Sequence, residues 1–194
     1  MIGGKIQNYR NILRRYIRDY GENEDINRAV QVLERAKRDV LKAQDKTELI
    51  GYEGMASNAY FEVLPILILN QKTDFPFHGR NRRPPKDAVN AMLSFAYTLI
   101  ANDVAAALET VGLDPYVGFL HTLRPGRTSL ALDMMEELRA YLGDRFILSL
   151  INKRQISVKD FLFQGDNGVV MTDKGKKTFI TAWQARKKIG RAHV

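Results

Sequence analysis

Apolar residues recur at helical spacing in one segment of this chain after another, and that periodicity limits the fold more than any other feature. Over residues 5–20, Ile6, Tyr9, Leu13, Tyr16, Ile17 and Tyr20 keep the three-and-four step of one helical face, and Gly21 supplies a stop. Residues 24–46 repeat the pattern through Ile26, Val30, Leu33, Ala36, Val40 and Leu41. Residues 47–71 read as a helix bent at Pro65, with Glu53 near its N-terminal end, where the helix dipole favours a carboxylate. Pro84-Pro85 closes a basic loop over 72–86 and opens a long helix over 86–110 that Gly112 ends. A short helix is expected over 113–121, another over 129–142 and a terminal one over 178–188. Only 157–163 and 169–171 have strand character, as a small hairpin around Asp166-Asn167-Gly168. No strand–helix alternation supports a doubly wound sheet, so the expected fold is mainly α with at most a minor β-hairpin.

A chain of 194 residues with 45% apolar content can bury a sizeable core, as one domain or two small ones. The absence of cysteine excludes disulfides, thiolate zinc sites and cysteine nucleophiles. No signal-peptide h-region opens the chain and no continuous apolar twenty-mer appears, so a soluble, cytoplasmic protein without a membrane partner is expected. The formal charge of +8 is uneven. Residues 109–145 carry 6 acidic and 4 basic residues, net −2, whereas 72–86 carry 5 basic and 1 acidic, net +4, and 152–194 carry 10 basic and 3 acidic, net +7. An acidic middle between basic flanks suits a cation site beside a phosphate-binding surface.

The acidic middle holds the candidate chemistry. Glu53 lies in GYEG, His121 ends GFLH, and Asp133 and Glu136 lie in SLALDMMEELR. Asp133 and Glu136 are three apart on one helical face, mostly across from an apolar stripe of Ala131, Met134, Met135, Leu138 and Leu142. Carboxylates with an imidazole suit Mg²⁺ or Mn²⁺, the imidazole favouring Mn²⁺. Direct metal contacts are assigned to Glu53, His121 and Glu136. Asp133 is assigned as a partial ligand, a water holder or an acceptor that orients a ligand. Plainer roles fit the same residues: a solvated helix face for Asp133 and Glu136, a structural histidine, and a surface or capping carboxylate at Glu53. No HExxH, EF-hand, phosphate-binding glycine loop or nucleophile elbow adds specificity.

Arg80, Arg82 and Arg83, with Phe75 and Phe77 nearby, are candidates for phosphate contact, as are Arg124 and Arg127 between His121 and Glu136. Lys174, Lys176, Lys177, Arg186, Lys187, Lys188 and Arg191 form a further basic end. Ordinary solvated charge explains each group equally simply. A noncatalytic basic nucleic-acid-binding module and a helical scaffold therefore stand as alternatives to an enzyme.

Taken together, GKIQNYRNILRR, GYEGMASNAYF, FHGRNRRPPKDAVNAMLSFAYTLI, GLDPYVGFLHTLRPGRTSLALDMMEELR and ISVKDF resemble the C-terminal catalytic domain of the CRISPR-associated protein one family, the integrase of CRISPR adaptation. The resemblance implies a mainly helical, metal-dependent DNA nuclease and integrase over residues 1–194, in which a DNA 3′-hydroxyl attacks a repeat phosphodiester and water in its place gives cleavage. It assigns metal binding to Glu53, His121 and Glu136, a nearby acidic role to Asp133, and substrate positioning to Arg80, Arg83, Asn90, Arg124 and Ser129. The partners implied are DNA, CRISPR-associated protein two and, in full-length members, a second copy of the chain. Full members carry an N-terminal β-rich domain, which is expected to be absent here.

Overall fold

The computed structural model describes residues 1–81, 83–122 and 124–191, with the backbone alone over 188–191. Arg82 and the side chains of Lys188 and Arg191, among the candidate phosphate contacts, lie outside the described residues. Seven α-helices and one hairpin are described: α1 Ile2–Tyr20, α2 Glu24–Val40, α3 Lys46–Val63, α4 Ala88–Thr110, α5 Ser129–Leu138, α6 Arg145–Asn152, β1 Phe161–Phe163, β2 Val169–Met171 and α7 Asp173–Arg191. The chain forms two compact units, Met1–Leu64 with Phe95–Arg145, and Pro65–Ser94 with Phe146–Val194.

The first unit is built on α1, α2 and α3. α1 buries Ile2, Lys5, Ile6, Tyr9 and Leu13, a single face at helical spacing, and ends at Gly21, whose N–H returns to the Ile17 carbonyl at 2.8 Å. α2 starts at Asn23, whose side chain accepts the Ile26 N–H at 3.1 Å, and buries Ile26, Ala29, Val30, Leu33 and Ala36. The expected helix over 24–46 stops at Val40 because Asp45 caps a new helix, accepting the Glu48 N–H at 2.9 Å. α3 therefore begins at Lys46, and Glu53 lies beyond its first turn rather than at its N-terminal end, where the dipole would act. Tyr9 stacks on Tyr60 of α3 with ring centroids 3.9 Å apart and 14° between planes. α3 gives way at Pro65 to a 3₁₀ turn, Leu64–Leu67.

Two expectations fail in the middle of the chain. Residues 113–121 form turns and bends, not a helix. The helix expected to end at 142 instead runs from α5 through a π-helical turn, Arg139–Asp144, into α6. Gly143 lies close to Tyr97 there: a Cβ on it would meet the ring at 3.0 Å. The extra residue per turn helps place Asp144 in the interior, 1% exposed.

In the second unit, Asn152 ties the chain after α3 to α6. Its Oδ1 accepts the Leu69 N–H at 2.8 Å and its Nδ2 donates to the Leu67 carbonyl at 3.0 Å. Phe75 and Phe77 are buried core residues, not aromatic neighbours to a surface ligand, and Phe75 meets Phe161 edge-on at 5.9 Å. Phe146 takes Phe179 and Trp183 of α7 against its ring at 5.0 and 5.2 Å. The hairpin pairs Phe161 with Met171 and Phe163 with Val169. Its first strand starts at 161, since Ser157 and Asp160 close a capping box around the preceding 3₁₀ turn. α4 is long and apolar enough to cross a membrane by length and composition alone. It also buries Val89, Met92, Leu93, Ala96 and Ile100 within the protein, as a core helix does.

Gly168 turns the hairpin at φ 84° and ψ −157°, a region open essentially to glycine, and a Cβ there would lie 2.5 Å from the Pro85 carbonyl oxygen. Gly168→Ala is expected to destabilise the protein by about 1–3 kcal/mol, read as a lower chemical-denaturation midpoint. An unchanged midpoint contradicts this packing.

Candidate active site

α5 turns its acidic side inward. Asp133 and Glu136 are buried beside Ala131 and Met135 of the expected apolar stripe, while Met134 of that stripe is 44% exposed. Burial of the acids is possible because both carboxylates are satisfied. Lys5 Nζ donates to Glu136 Oε2 at 2.8 Å, and Arg139, three residues on, donates to Glu136 Oε1 at 2.9 Å. The same Lys5 Nζ donates to Glu53 Oε1, which also accepts the Ser57 hydroxyl at 2.8 Å. One ammonium, 2% exposed, thus joins α1 to α3 and α5. Burial alone would lower the Lys5 pKa, but Tyr9, Glu136 and Glu53 raise it well above the ordinary value. Burial likewise pushes Glu53 up, and the charge and hydrogen bond of Lys5 with the Ser57 bond hold it below the usual carboxylate range.

Asp133 organises the loop that carries the histidine. Its Oδ2 accepts the N–H groups of Phe119 at 2.5 Å and Leu120 at 2.8 Å, and its Oδ1 accepts the His121 N–H at 2.9 Å. These are donors that a helix over 113–121 would have turned inward on itself, so the carboxylate replaces the expected helix. Burial pushes Asp133 up, but the bonds from Leu120, the His121 ring, Phe119 and the His121 backbone hold it below the ordinary value. Gly118 is required for this approach, since a Cβ on it would lie 2.6 Å from the Ser129 backbone and 2.8 Å from Asp133 Oδ2. His121 Nδ1 lies 2.6 Å from Asp133 Oδ1. With the proton on Nδ1, Nε2 is the nitrogen left for a ligand.

The structure therefore brings Glu53 together with Glu136 through Lys5, and His121 together with Asp133. Among the described residues, no three His, Asp or Glu side chains gather as a ready cation cage. The donor set nevertheless suits a hard divalent cation: two carboxylates already meet at one buried positive charge, and one imidazole is held by a carboxylate through its other nitrogen. Arg124 is exposed and Arg127 half-buried on the loop before α5. Arg80 and Arg83 belong to the other unit. There Arg80 Nη1 donates to Asn90 Oδ1 at 2.7 Å and Nη2 to Ser94 Oγ at 3.2 Å, fixing the loop, while Arg83 is exposed.

The model of CRISPR associated protein Cas1 matches residues 1–185. The chain belongs to that family. It is 48% identical over its whole length to CRISPR-associated endonuclease Cas1 2 of Rhodospirillum rubrum and 50% identical over 95% of its length to CRISPR-associated endonuclease Cas1 1 of Chlorobaculum tepidum. The chain spans 58% and 55% of the length of those relatives. A Cas1 endonuclease of Leptospira interrogans is 45% identical, and the chain covers 75% of it. Among solved structures, a Cas1 protein of Thermotoga maritima superposes with a TM-score of 0.78 at 28% identity, over 94% of this chain and 55% of that one. A casposase bound to integration product superposes with a TM-score of 0.76 at 25% identity, over 95% and 52%. The mainly α fold of this Cas1 family chain accords with those neighbours.

Sequence reasoning missed Lys5, Arg139 and Asp144. Lys5 had a visible signal, a cation inside the apolar face of α1, and Arg139 stands one helical turn after Glu136. Asp144 had none, because the π-helical turn that buries it leaves no mark in the periodicity. Tyr97 Oη donates to Asp144 Oδ1 at 2.6 Å, and Arg139 lies over the Tyr97 ring at 4.7 Å. Burial pushes the Asp144 carboxyl up to about 6, against the Tyr97 hydrogen bond and the charges of Arg139 and Lys5.

A carboxyl whose pKa is raised on folding stabilises the fold fully below its unfolded value, near 3.8, and loses that contribution as pH climbs to about 6. The unfolding free energy of wild type minus that of Asp144→Asn is therefore expected to fall by about 3 kcal/mol as pH rises across that window. Parallel pH profiles of the two proteins contradict the assignment.

Proposed function

We propose that this chain carries the metal-dependent DNA nuclease and integrase chemistry of CRISPR adaptation, joining DNA 3′-hydroxyls to repeat phosphodiesters. The convergence of Glu53 and Glu136 on one buried positive charge carries this reading. The endonuclease names of its relatives and the casposase likeness support it.

Glu53, Glu136 and His121 Nε2 would hold Mg²⁺ or Mn²⁺. When bound, such a cation lowers the pKa of an attacking hydroxyl and offsets charge on the phosphoryl centre. The protein's own part is positional. Asp133 fixes the His121 ring and the backbone of its loop, so Nε2 is presented in one direction. Arg139 and Ser57 each hold one carboxylate by a separate bond, fixing its rotamer. Arg124 and Arg127 would engage DNA phosphates beside the reacting centre, and in the second unit, taken by itself, Arg83 is an exposed candidate for phosphate contact. Water attacking in place of the 3′-hydroxyl gives phosphodiester cleavage at the same site. The proposed partners are DNA, CRISPR-associated protein two and a second copy of the chain, acting in the cytoplasm. One fold neighbour is itself part of a Cas6-RT-Cas1–Cas2 complex.

Joining of a defined branched DNA in Mn²⁺ is expected to fall at least about 100-fold in Glu53→Ala, His121→Ala and Glu136→Ala, with salt-sensitive DNA affinity retained. Asp133→Ala is expected to lose about 10–100-fold through misplacement of His121. Folded variants with undiminished metal-dependent activity overturn the site and favour a noncatalytic DNA-binding module.

A further inference from the structure

Lys5 is the one charged residue on the buried face of α1, set among Ile2, Ile6, Tyr9 and Leu13. An ammonium in such a place is costly unless it is paired, and Lys5 is paired twice, with acids 48 and 131 residues away. Each acid also has a donor of its own, Ser57 for Glu53 and Arg139 for Glu136. Those donors fix the individual carboxylates. The Lys5 ammonium is what the two acids have in common.

We infer that Lys5 is the resident counter-ion of the Glu53–Glu136 pair: it holds the two carboxylates converged without a metal, and its ammonium must leave that point before a divalent cation can take it. This rests on the metal assignment proposed above and adds to it a residue that sets metal affinity. Two cations drawn to one point between the same carboxylates repel each other, and at a partly buried site solvent screens that repulsion only weakly. A lysine suits exchange of this kind, being a compact point charge on a flexible four-carbon stem. An arginine fork would hold the carboxylates more rigidly.

Three consequences distinguish this role from ordinary packing. Without metal, Lys5→Met leaves two carboxylates facing one another with no shared cation, so its melting temperature drops below that of wild type. The Mn²⁺-induced rise in melting temperature is then larger in Lys5→Met than in wild type. Finally, Mn²⁺ binds the variant more tightly, because no ammonium has to be displaced.

The deciding experiment titrates metal-free wild type, Lys5→Met and Lys5→Arg with Mn²⁺, following free Mn²⁺ by electron paramagnetic resonance. The expected result is a dissociation constant about tenfold lower in Lys5→Met. Lys5→Arg, which keeps the charge, shows no such gain. In parallel, amine acylation of the wild-type protein, read by mass spectrometry, shows Lys5 protected without metal and labelled at saturating Mn²⁺, with exposed Lys159 as reference. This arm decides the matter even if Lys5→Met does not fold. Equal or weaker Mn²⁺ binding by a folded Lys5→Met, or Lys5 still protected at saturating Mn²⁺, overturns the counter-ion role while leaving the metal site intact. Absence of Mn²⁺ binding in all three proteins overturns both.

Discussion

One buried ammonium shared by two carboxylates fixes the geometry of the first unit. Lys5, Glu53 and Glu136 come from three helices, and buried Lys5 and Glu136 would each be a costly interior charge alone, with half-buried Glu53 completing the set. Together they satisfy one another, and the three helices carrying them are pinned at the same place. Surface pairs such as Arg15–Asp19 and Arg18–Asp19 are exposed to solvent screening and add little to this. The stack of Tyr9 on Tyr60 seals the same junction with apolar contact one turn along α1.

Around that node, polar groups are arranged in pairs of support. Arg139 binds Glu136 and covers Tyr97, and Tyr97 binds Asp144. Asp133 gathers three backbone N–H groups and the His121 ring. The candidate site side chains Glu53, His121 and Glu136 are thereby each held by a neighbour through a separate bond. This is how a cation site can be prepared on helices whose sequence separation is large.

Much of the helical framework was legible in the periodicity. α1 and α4 lie within three residues of the bounds their apolar steps suggest, α2 stops six residues early at Val40, the terminal helix starts five residues early at Asp173, and the hairpin sits around its Asp-Asn-Gly turn. The candidate residues were legible as quoted motifs, but their partners were not. α5 illustrates the reason: an acid at its centre reads as a solvated face unless its bonding partners are known. Those partners are Lys5 on α1 and the N–H groups of Phe119, Leu120 and His121. The irregular path over 113–121 was hidden for the same cause, because Asp133 takes the donors that local helix formation would have used. Phe75 and Phe77, read as neighbours of a basic surface, proved to be core because the second unit folds over them.

On this reading, α1, α3 and α5 prepare one cation point, held by Lys5 until a divalent metal takes it. Anomalous diffraction at the manganese edge from crystals soaked in Mn²⁺ tests it most directly. A single peak is expected at ligand distance, about 2 Å, from Glu53, Glu136 and His121 Nε2, with the Lys5 ammonium withdrawn from the two carboxylates. A peak bound elsewhere, or Lys5 still bridging both acids with the metal in place, contradicts it.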